Sequence, residues 1–332
     1  MPLVLLTGAN GFIAAHMLEL LLRKDYHVRA TARSQSKCDV ICKQYPTDAL
    51  ELVVVEDFMK AAAFDEAVKG VDYILHTASP LRTDAIGLDM MLPAVNGTKS
   101  ILRSAATQPQ LRKIVYTSSF GAIVDQAKEP WPGHVYTDDQ WSPLTWEDGI
   151  AGPQASSYRV SKKYAELELW DFKRNQKPSF DVAAICPPLV FGPIINDQTL
   201  DTMNTSNQVI WKYLSGQTAE VGDLARGFAD VRDVAQAHLL AMEAKGSERY
   251  IVTAGLFTEQ SMANILRQRF PHLQASIPVG DPSKAPLPTL EKHFQTDASK
   301  SRKLGVTYRD FEACLVEAAE SLIAMAKREG KM

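Results

Sequence analysis

The 332-residue sequence has few cysteines, no long apolar run and no block of like charges. Its four cysteines, Cys38, Cys42, Cys186 and Cys314, are spaced unlike a disulfide framework, so we expect reduced thiols and a cytoplasmic location. No window of about 18 apolar residues suggests a membrane helix, and the start MPLVLLTGANG is not typical of a secretory signal. The net charge of -3 argues against a broad nucleic-acid surface. We therefore expect a protein that binds a small molecule and neither a nucleic acid nor a membrane.

A metal site is not expected either. Cys38 and Cys42 could share one face of a helix, but a bound metal needs two further ligands that the surrounding sequence lacks. Packing in the interior is therefore the better interpretation of these thiols.

Strand-like apolar runs alternate with helical patterns along the chain. The strand-like runs are 3–7, 27–32, 52–55, 73–76, 113–117, 182–186 and 249–253, and the helical patterns are 12–22, 61–68, 92–106, about 157–172 and about 311–327. Such alternation predicts an α/β fold with a doubly wound parallel sheet. After Pro187 and Pro188 the alternation gives way to short helices and loops. We therefore predict a sheet domain over 1–188, with a returning segment at about 228–255. A smaller C-terminal substrate-binding lobe is then formed by 189–227 and 256–332.

The first glycine-containing turn lies between the strand 3–7 and the helix 12–22, which is the position of a dinucleotide-binding (Rossmann) fingerprint. In the run TGANGFIA, Gly8 and Gly11 let the backbone turn and approach a pyrophosphate, whose charge suits the free N–H groups of a helix N-terminus. Ala14 stands where many such motifs carry a third glycine. A plain tight turn is the alternative, and the flanking strand and helix make it the weaker one.

The end of the second strand carries cations where an NAD-binding site would carry an acidic residue. No Asp or Glu occurs from His27 to Lys37, and Arg33 and Lys37 suit the 2′-phosphate of NADP. The sequence therefore predicts NADPH rather than NADH, with solvated surface charges as the alternative.

Tyr158 and Lys162 are four residues apart, so a helix would place both on one face. The spacing alone is weak evidence, because it arises by chance. An adjacent ammonium should lower the tyrosine pKa from about 10, and carbonyl reduction needs a proton donor for the oxygen that becomes alkoxide-like. Ser118 and Ser119 follow Thr117 at a predicted strand end, where a parallel sheet would bring them to the cofactor edge. Bonding to nearby backbone groups is their alternative role.

Eight motifs occur in an order that resembles the extended short-chain dehydrogenases/reductases. They are TGANGFIA, TARSQSK, VVVEDF, HTASP, PAVNGTK, YTSS, YRVSKK and FADVRDVAQAHL, and the likeness begins at about residue 3 and extends to the carboxyl terminus. Within that superfamily the sequence is most similar to the fungal NADPH-dependent methylglyoxal and isovaleraldehyde reductases, relatives of yeast aldehyde reductases and plant dihydroflavonol reductase. Together the motifs are highly specific for the superfamily and less so for this branch.

The resemblance implies three catalytic residues. Ser119 would position the substrate carbonyl, Tyr158 would donate the proton, and Lys162 would hold the nicotinamide ribose and lower the pKa of Tyr158. The cofactor-binding residues that the motifs and the resemblance imply together are Gly8, Asn10, Gly11, Phe12, Ile13, Arg33, Lys37, Asp57, Phe58, Thr77, Ala78, Ser79, Thr117, Tyr158, Lys162, Pro187, Val190 and Ser206. The first members of this set would hold the phosphates and the adenine, and the last three would lie near the nicotinamide.

The resemblance also implies an apolar substrate pocket, which would be lined by Leu81, Phe120, Ala155 and Leu189. Leu81 and Leu189 stand where relatives carry aromatic residues, so we expect a wider pocket that accepts bulkier aldehydes or ketones. The tryptophan-containing segment 131–146 either covers the cleft or anchors the core of the lobe.

The sequence therefore predicts an NADPH-dependent aldehyde or ketone reductase that also runs in reverse as an alcohol dehydrogenase, present as a monomer or homodimer. Candidate substrates are methylglyoxal, branched aldehydes and bulky or aryl ketones. A nucleotide-sugar epimerase or dehydratase would use the same serine, tyrosine and lysine, but it usually prefers NAD and needs cations for a sugar diphosphate. A non-catalytic NADPH-binding protein is the other alternative, and it would not need the three catalytic residues together.

Overall fold

The computed structural model describes residues 1–79, 85–286 and 288–332, which form two compact units. The first unit comprises 1–125, 138–186 and 235–250. The second unit comprises 126–137, 187–234 and 251–332. The segment that returns to the first unit is thus shorter than the predicted one of about 228–255, and the second unit also includes a stretch before residue 138 that the sequence pattern does not distinguish.

The strands are β1 Leu3–Thr7, β2 His27–Ala32, β3 Leu50–Val54, β4 Tyr73–His76, β5 Lys113–Thr117, β6 Val135–Tyr136, β7 Asp181–Cys186, β8 Leu189–Phe191, β9 Ala225–Asp230, β10 Glu248–Ile251, β11 Gly255–Thr258 and β12 Gln295–Thr296. The α-helices are α1 Phe12–Arg23, α2 Gln35–Gln44, α3 Leu88–Ala106, α4 Trp146–Ala151, α5 Gln154–Gln176, α6 Thr205–Leu214, α7 Val231–Glu243, α8 Glu259–Arg269, α9 Ser299–Leu304 and α10 Phe311–Arg328. Short 3₁₀ helices cover Phe120–Ala122, Gln126–Lys128, Pro271–Leu273 and Pro282–Lys284. Within the described ranges, no helix combines the length and the apolar character that crossing a membrane requires.

A seven-stranded sheet has the order β10-β7-β5-β4-β1-β2-β3. Every pairing from β3 across to β7 is parallel. The chain runs outward from β1 to β3 and then returns to the other side of β1 at β4, so the strand order switches between β1 and β4. Ligands of such sheets bind outside the carboxyl ends of the strands at this switch. The predicted fold class, a doubly wound parallel sheet, is confirmed.

The central strands β1, β4, β5 and β7 are mostly apolar because they are buried on both faces, as in other parallel sheets. All five residues of β5 are buried. One core cluster joins Leu5, Ile74 and Ile114 of the sheet to residues of α3 and α5, among them Ile101 and Leu169. These two helices therefore hold a fixed position against the strand ends that carry the candidate site.

The helix predicted at 61–68 is wrong. This stretch consists of turns, in which Ala63 N–H bonds to Lys60 O and Asp65 N–H bonds to Ala62 O. Phe64 and Val68 are fully buried. The apolar residues at helical spacing in this stretch are therefore buried, but they do not form a continuous helix. Conversely, α2 is not predicted, because only Cys38 and Ile41 are buried on this otherwise polar helix.

The second unit has its own small sheets and helical core. Strand β9 pairs in parallel with β8 and antiparallel with β11, and β6 pairs in parallel with β12. Helices α6, α8 and α10 supply buried residues such as Ile210, Leu266 and Leu315 to one cluster. Within it, the rings of Phe257 and Phe311 stack with centroids 4.5 Å apart.

Candidate active site

The turn after β1 has the backbone of an anion-binding loop. Gly8 has φ +70°, and a Cβ added there would lie 3.1 Å from the Cα of Ala78, so both conformation and space require glycine. Gly11 donates its N–H to Gly8 O at 2.9 Å and is the N-cap of α1, where no side chain caps the helix and no acidic residue occupies the first turn. An uncapped helix N-terminus favours a phosphate group.

Thr7 connects this turn to the loop after β4. Its hydroxyl oxygen accepts hydrogen bonds from the N–H of Thr77 at 3.2 Å and of Ala78 at 3.1 Å, while the Thr77 hydroxyl donates to Thr7 O at 2.5 Å. Of the predicted cofactor residues, Thr77 and Ala78 thus lie directly beside Gly8. The sequence interpretation missed Thr7, whose signal is a hydroxyl at the end of the first strand.

Three predicted residues in this turn and the first turn of α1 differ in exposure. Phe12 is buried and meets His16 edge to face, with ring centroids 5.8 Å apart. Asn10 and Ile13 are half-buried. Phe12 therefore packs in the core, whereas the other two retain exposed surface near the helix N-terminus.

The cations after β2 stand at the N-terminus of a second helix. We call Arg33, Ser34 and Lys37 the phosphate corner. Ser34 is the N-cap of α2 and accepts a hydrogen bond from the Lys37 N–H at 3.4 Å, and the first turn carries no acidic residue. Arg33 is exposed, and its guanidinium carbon lies 5.6 Å from the centroid of the Phe58 ring. A helix N-terminus flanked by two cations can hold a phosphate, and Ser34 is a member that the sequence interpretation missed.

Asp57 and Phe58 lie next to this corner. The Asp57 carboxylate accepts a hydrogen bond from the Met59 N–H at 3.0 Å. Phe58 is buried, and a Cβ added to Gly97 would lie 2.4 Å from its ring. The small residue in α3 therefore makes room for the ring that Arg33 faces.

Ser119 and Tyr158 come together at the carboxyl end of β5. With Lys162, we call them the catalytic corner. Ser119 is the N-cap of the 3₁₀ helix Phe120–Ala122, and its side chain accepts a hydrogen bond from the Gly121 N–H at 3.0 Å. A Cβ added to Gly121 would lie 3.3 Å from Ser119 Oγ and 3.6 Å from Tyr158 Cε1. Gly121, which the sequence interpretation missed, thus keeps the space between the two hydroxyl-bearing side chains open.

The pKa of Tyr158 is raised above its usual value of 10, which is opposite to the expected direction. Burial is the largest cause, and the hydrogen bond with Ser119 and the charge of Arg159 only partly oppose it. The expected net lowering of the Tyr158 pKa is therefore wrong, because the loss of hydration outweighs the favourable charges. Tyr158 consequently stays protonated at neutral pH.

Lys162 is buried beneath the site. Its ammonium donates to Ser79 Oγ at 3.3 Å and to Thr117 O at 3.4 Å. Burial lowers the pKa of Lys162 to about 8, and the opposing charges of Cys186 and Glu166 raise it. Lys162 is therefore mainly protonated at neutral pH, and it joins two further predicted residues, Ser79 and Thr117, to the catalytic corner.

The remaining predicted residues are separated between the two units. Phe120 is buried in the first unit, whereas Ala155 is exposed in the first turn of α5. Leu81 lies outside the described residues. The predicted residues in the second unit are Pro187 and Val190, which are buried, and Leu189 and Ser206, which are half-buried. Within that unit the Val190 N–H donates to Ser206 Oγ at 3.1 Å.

The tryptophans of segment 131–146 are held by packing in the units to which they belong. Trp141 lies under the guanidinium of Arg249, 3.8 Å from its carbon, and Trp146 meets the ring of Tyr164 edge to face at 5.1 Å. In the second unit, Trp131 stacks on His134 with ring centroids 3.6 Å apart.

Comparison with known proteins agrees with this geometry. The NAD dependent epimerase/dehydratase family matches residues 4–254. The chain is 36% identical to the NADPH-dependent methylglyoxal reductase Gre2 of Saccharomyces cerevisiae over 99% of each chain. It is 38% identical to the ketoreductase azaE of Aspergillus niger, over 97% of this chain and 98% of the other. The crystal structure of yeast methylglyoxal/isovaleraldehyde reductase Gre2 complexed with NADPH matches with a TM-score of 0.91 and 35% identity, covering 99% of this chain and 100% of that one. The resemblance inferred from the motifs is confirmed.

Proposed function

Because the chain belongs to the NAD dependent epimerase/dehydratase family, we propose that it is an NADPH-dependent carbonyl reductase that converts an aldehyde or ketone to the alcohol, and reversibly oxidises alcohols. The observation that carries the proposal is the catalytic corner, where the Ser119 and Tyr158 hydroxyls are hydrogen-bonded beside the buried ammonium of Lys162. The full-length relatives with reductase names support the same activity.

In this mechanism the substrate oxygen binds between Ser119 and Tyr158. When bound, reduced NADPH supplies the hydride for the carbonyl carbon. Charge then develops on the oxygen, and hydrogen bonds from the two hydroxyls stabilise it. Tyr158 is the general acid, since its raised pKa keeps the proton available at neutral pH until the oxygen becomes basic enough to take it. The ammonium of Lys162, on the same face of α5, stabilises the phenolate that is left.

The residues that hold the cofactor are part of the proposal. The α1 N-terminus with Gly8 and Gly11 suits the pyrophosphate, and the phosphate corner suits a 2′-phosphate. Asp57 and Phe58 are assigned to the adenine side. The other assigned residues are Asn10, Phe12, Ile13, Thr77, Ala78, Ser79 and Thr117 in the first unit and Pro187, Val190 and Ser206 in the second.

The substrate is proposed to be an aldehyde or ketone that carries an apolar substituent. Phe120, Ala155 and Leu189, together with Leu81, offer apolar surface and few polar anchors. Methylglyoxal, branched aldehydes and aryl ketones fit this lining, and the names of the relatives support the first two of these classes. A sugar diphosphate needs cations, whereas the cations assigned here serve the 2′-phosphate.

The decisive experiment follows the absorbance of NADPH with a panel of methylglyoxal, branched aldehydes, aryl ketones and diketones. We expect turnover that requires NADPH, is weak with NADH and gives the corresponding alcohol. Binding of NADPH without turnover of any carbonyl compound, together with conversion of a nucleotide sugar, would instead support the epimerase or dehydratase alternative.

A cytoplasmic location and a monomeric or homodimeric state are also proposed. The location is supported by the four cysteines, all of which are free thiols, as expected in a reducing compartment. Light scattering of the purified protein and imaging of a fluorescent fusion in its own cell would test the two statements.

A further inference from the structure

The catalytic helix carries a third polar residue in line with Tyr158 and Lys162. Glu166 lies one turn beyond Lys162 on α5, and it is completely buried. Its Oε2 accepts a hydrogen bond from the Ser118 hydroxyl at 2.5 Å, and its Oε1 accepts one from the Trp170 indole N–H at 2.9 Å. Ser118 immediately precedes Ser119 in the chain. Glu166 therefore connects α5 to the strand end that carries the other half of the catalytic corner.

Arg249, on the edge strand β10, pairs with this carboxylate. Its Nε lies 2.6 Å from Glu166 Oε1 and its Nη2 lies 3.1 Å from Oε2, which is a two-point contact. The same guanidinium donates to Asp138 O at 2.9 Å and to Gln140 O at 2.5 Å. Only 7% of the Arg249 side chain is exposed. The pair thus joins α5, β5, β10 and the 138–141 segment in one buried network.

A buried ion pair is a poor way to stabilise a fold, because the cost of removing two charges from water consumes most of the attraction between them. An apolar pair of similar size would serve stability at least as well. What such a pair offers instead is a fixed geometry and a fixed charge, since both Glu166 oxygens and all three Arg249 nitrogens have specific partners. Because the pair lies beside the catalytic corner, we expect that both its fixed geometry and its fixed charge serve the reaction.

We propose that Glu166, held in place by Arg249, is a positioning residue of the reaction, which fixes the Ser118–Ser119 strand end against α5 and places a buried anion near Lys162. The inference rests on the proposed reductase function, because it assigns a role relative to the same catalytic residues. It goes beyond that function by adding two residues that do not touch the reacting atoms.

The charges near Lys162 identify Glu166 as the anion that acts on it. Among the described residues, the titratable groups whose charges are coupled to that of Lys162 are His76 from β4, Cys186 from β7 and Glu166 from α5 itself. Tyr158 lies one turn before Lys162 on the same helix. Burial and the charge of Lys162 lower the pKa of His76 to about 3, so its ring is neutral. Burial and the charge of Glu166 raise the pKa of the Cys186 thiol, so it too is neutral near pH 7. Glu166 therefore supplies the negative charge that helps Lys162 to keep its proton.

The side chains around Glu166 are also consistent with a charged carboxylate. Besides Arg249, the side chains that face it are Ser118, Trp170, Cys186 and Tyr116. Burial is the main cause that raises the pKa of Tyr116, so the phenol is uncharged. In the part of the chain that the structure describes, the cations near Glu166 are Lys162, which its charge influences, and Arg249, which is hydrogen-bonded to it. Removing Glu166 and Arg249 together therefore leaves neither member of this ion pair buried alone.

The test uses the double variant Glu166→Gln/Arg249→Met in the full-length protein, with Glu168→Gln as the matched control. Glu168 lies on the same helix, in a partly exposed pair with Lys99 at 3.1 Å. We expect the double variant to unfold at a temperature close to that of the wild type, to lose at least about tenfold in kcat, and to change KM for NADPH less than about twofold. The control should keep the kcat of the wild type.

Ser118→Ala is the second variant, since it removes one hydrogen bond and keeps the ion pair. It should fold normally and lower kcat in the same direction as the double variant. If the double variant does not fold, a normal kcat for Ser118→Ala overturns the positioning role, and a lowered kcat supports it.

Titration of Lys162 gives a readout that needs neither cofactor nor turnover. In protein with isotope-labelled lysines, the Lys162 resonance is identified by its loss in Lys162→Met. We expect its midpoint near pH 8 in the wild type, and at least about half a pH unit lower in the double variant. The same midpoint in both proteins, with an unchanged kcat, would overturn the inference. Failure of the wild type to reduce any carbonyl compound would instead count against the proposed function, while this titration still tests the charge near Lys162.

Discussion

The catalytic corner and the phosphate corner lie in the same unit but differ in their access to water. Ser119 and Lys162 are buried, and loss of hydration moves the pKa of Lys162 and that of Tyr158 away from their usual values. Arg33 is exposed, and its guanidinium carbon lies 5.6 Å from the centroid of the Phe58 ring. Charges interact strongly where water is excluded and weakly where water and salt screen them. We therefore expect single-atom changes to be severe at the first corner and graded at the second.

The largest effect is expected for Tyr158→Phe. Removing one hydroxyl takes away the proton donor, so kcat should fall by about 10²–10⁴-fold while NADPH binding stays nearly normal. Tyr164→Phe is the matched control, since Tyr164 lies on the same helix and packs against Trp146. Steady-state rates and fluorescence titration with NADPH measure both quantities. Unchanged turnover in Tyr158→Phe would refute the proton-donor role.

A smaller and selective effect is expected for Arg33→Ala in the phosphate corner. The loss of a charge-assisted contact with the 2′-phosphate should weaken NADPH binding by about 1.5–3 kcal/mol and leave NADH binding almost unchanged. The exposed Arg103 on α3, changed to Ala, is the control for loss of one surface cation. The measurement is the dissociation constant of each cofactor. An equal loss of affinity for NADPH and NADH would contradict the assignment of Arg33 to the 2′-phosphate.

The turn after β1 can be tested with two glycines of similar conformation. Gly8 and Gly70 have φ +70° and +73°, but only the Cβ added at Gly8 would meet other atoms, 3.1 Å from Ala78 Cα. Gly8→Ala and Gly70→Ala should both lower the unfolding free energy, by about 1–2 kcal/mol for the left-handed conformation. Only Gly8→Ala should also weaken NADPH binding, by about tenfold, because the loop must move. Equal cofactor affinities in the two variants would speak against the loop as the pyrophosphate site.

The smallest expected effect is a decline of kcat on the alkaline side of its pH profile. Because burial lowers the pKa of Lys162 to about 8, the lysine holds its proton below that pH and loses it above. Tyr158, whose pKa is raised, still carries its proton there. We expect kcat at saturating NADPH to reach half its plateau near pH 8 and to decline at higher pH. Lys162→Arg keeps its charge and should not show this decline. A wild-type profile that is flat through this range would contradict the role of the lysine.

Much of the first unit follows from local pattern. The strands at 3–7, 27–32, 73–76 and 113–117 are found where they are predicted, because mostly buried strands are short runs rich in apolar and β-branched residues. Prediction from the apolar pattern fails at 61–68, where buried residues with helical spacing lie in turns. It also fails at α2, because most residues of this helix are polar. The positions of buried residues can be predicted from the apolar residues of the sequence. The backbone hydrogen bonds of a buried segment, which decide between helix and turn, cannot be predicted from that pattern.

The candidate site was predictable in its residue types and not in its electrostatics. The spacing of Tyr158 and Lys162 places them on one helix face, but it does not tell that loss of hydration raises the pKa of the tyrosine. Glu166 and Arg249 are 83 residues apart, and no motif connects them.

The amino-acid sequence by itself determined the alternation of strands and helices, the glycine turn and the order of the motifs, because these depend on neighbours in the chain. Only the tertiary structure decided which side chains lose water and which distant charges meet, because burial and long-range pairing arise when the sheet and its helices assemble.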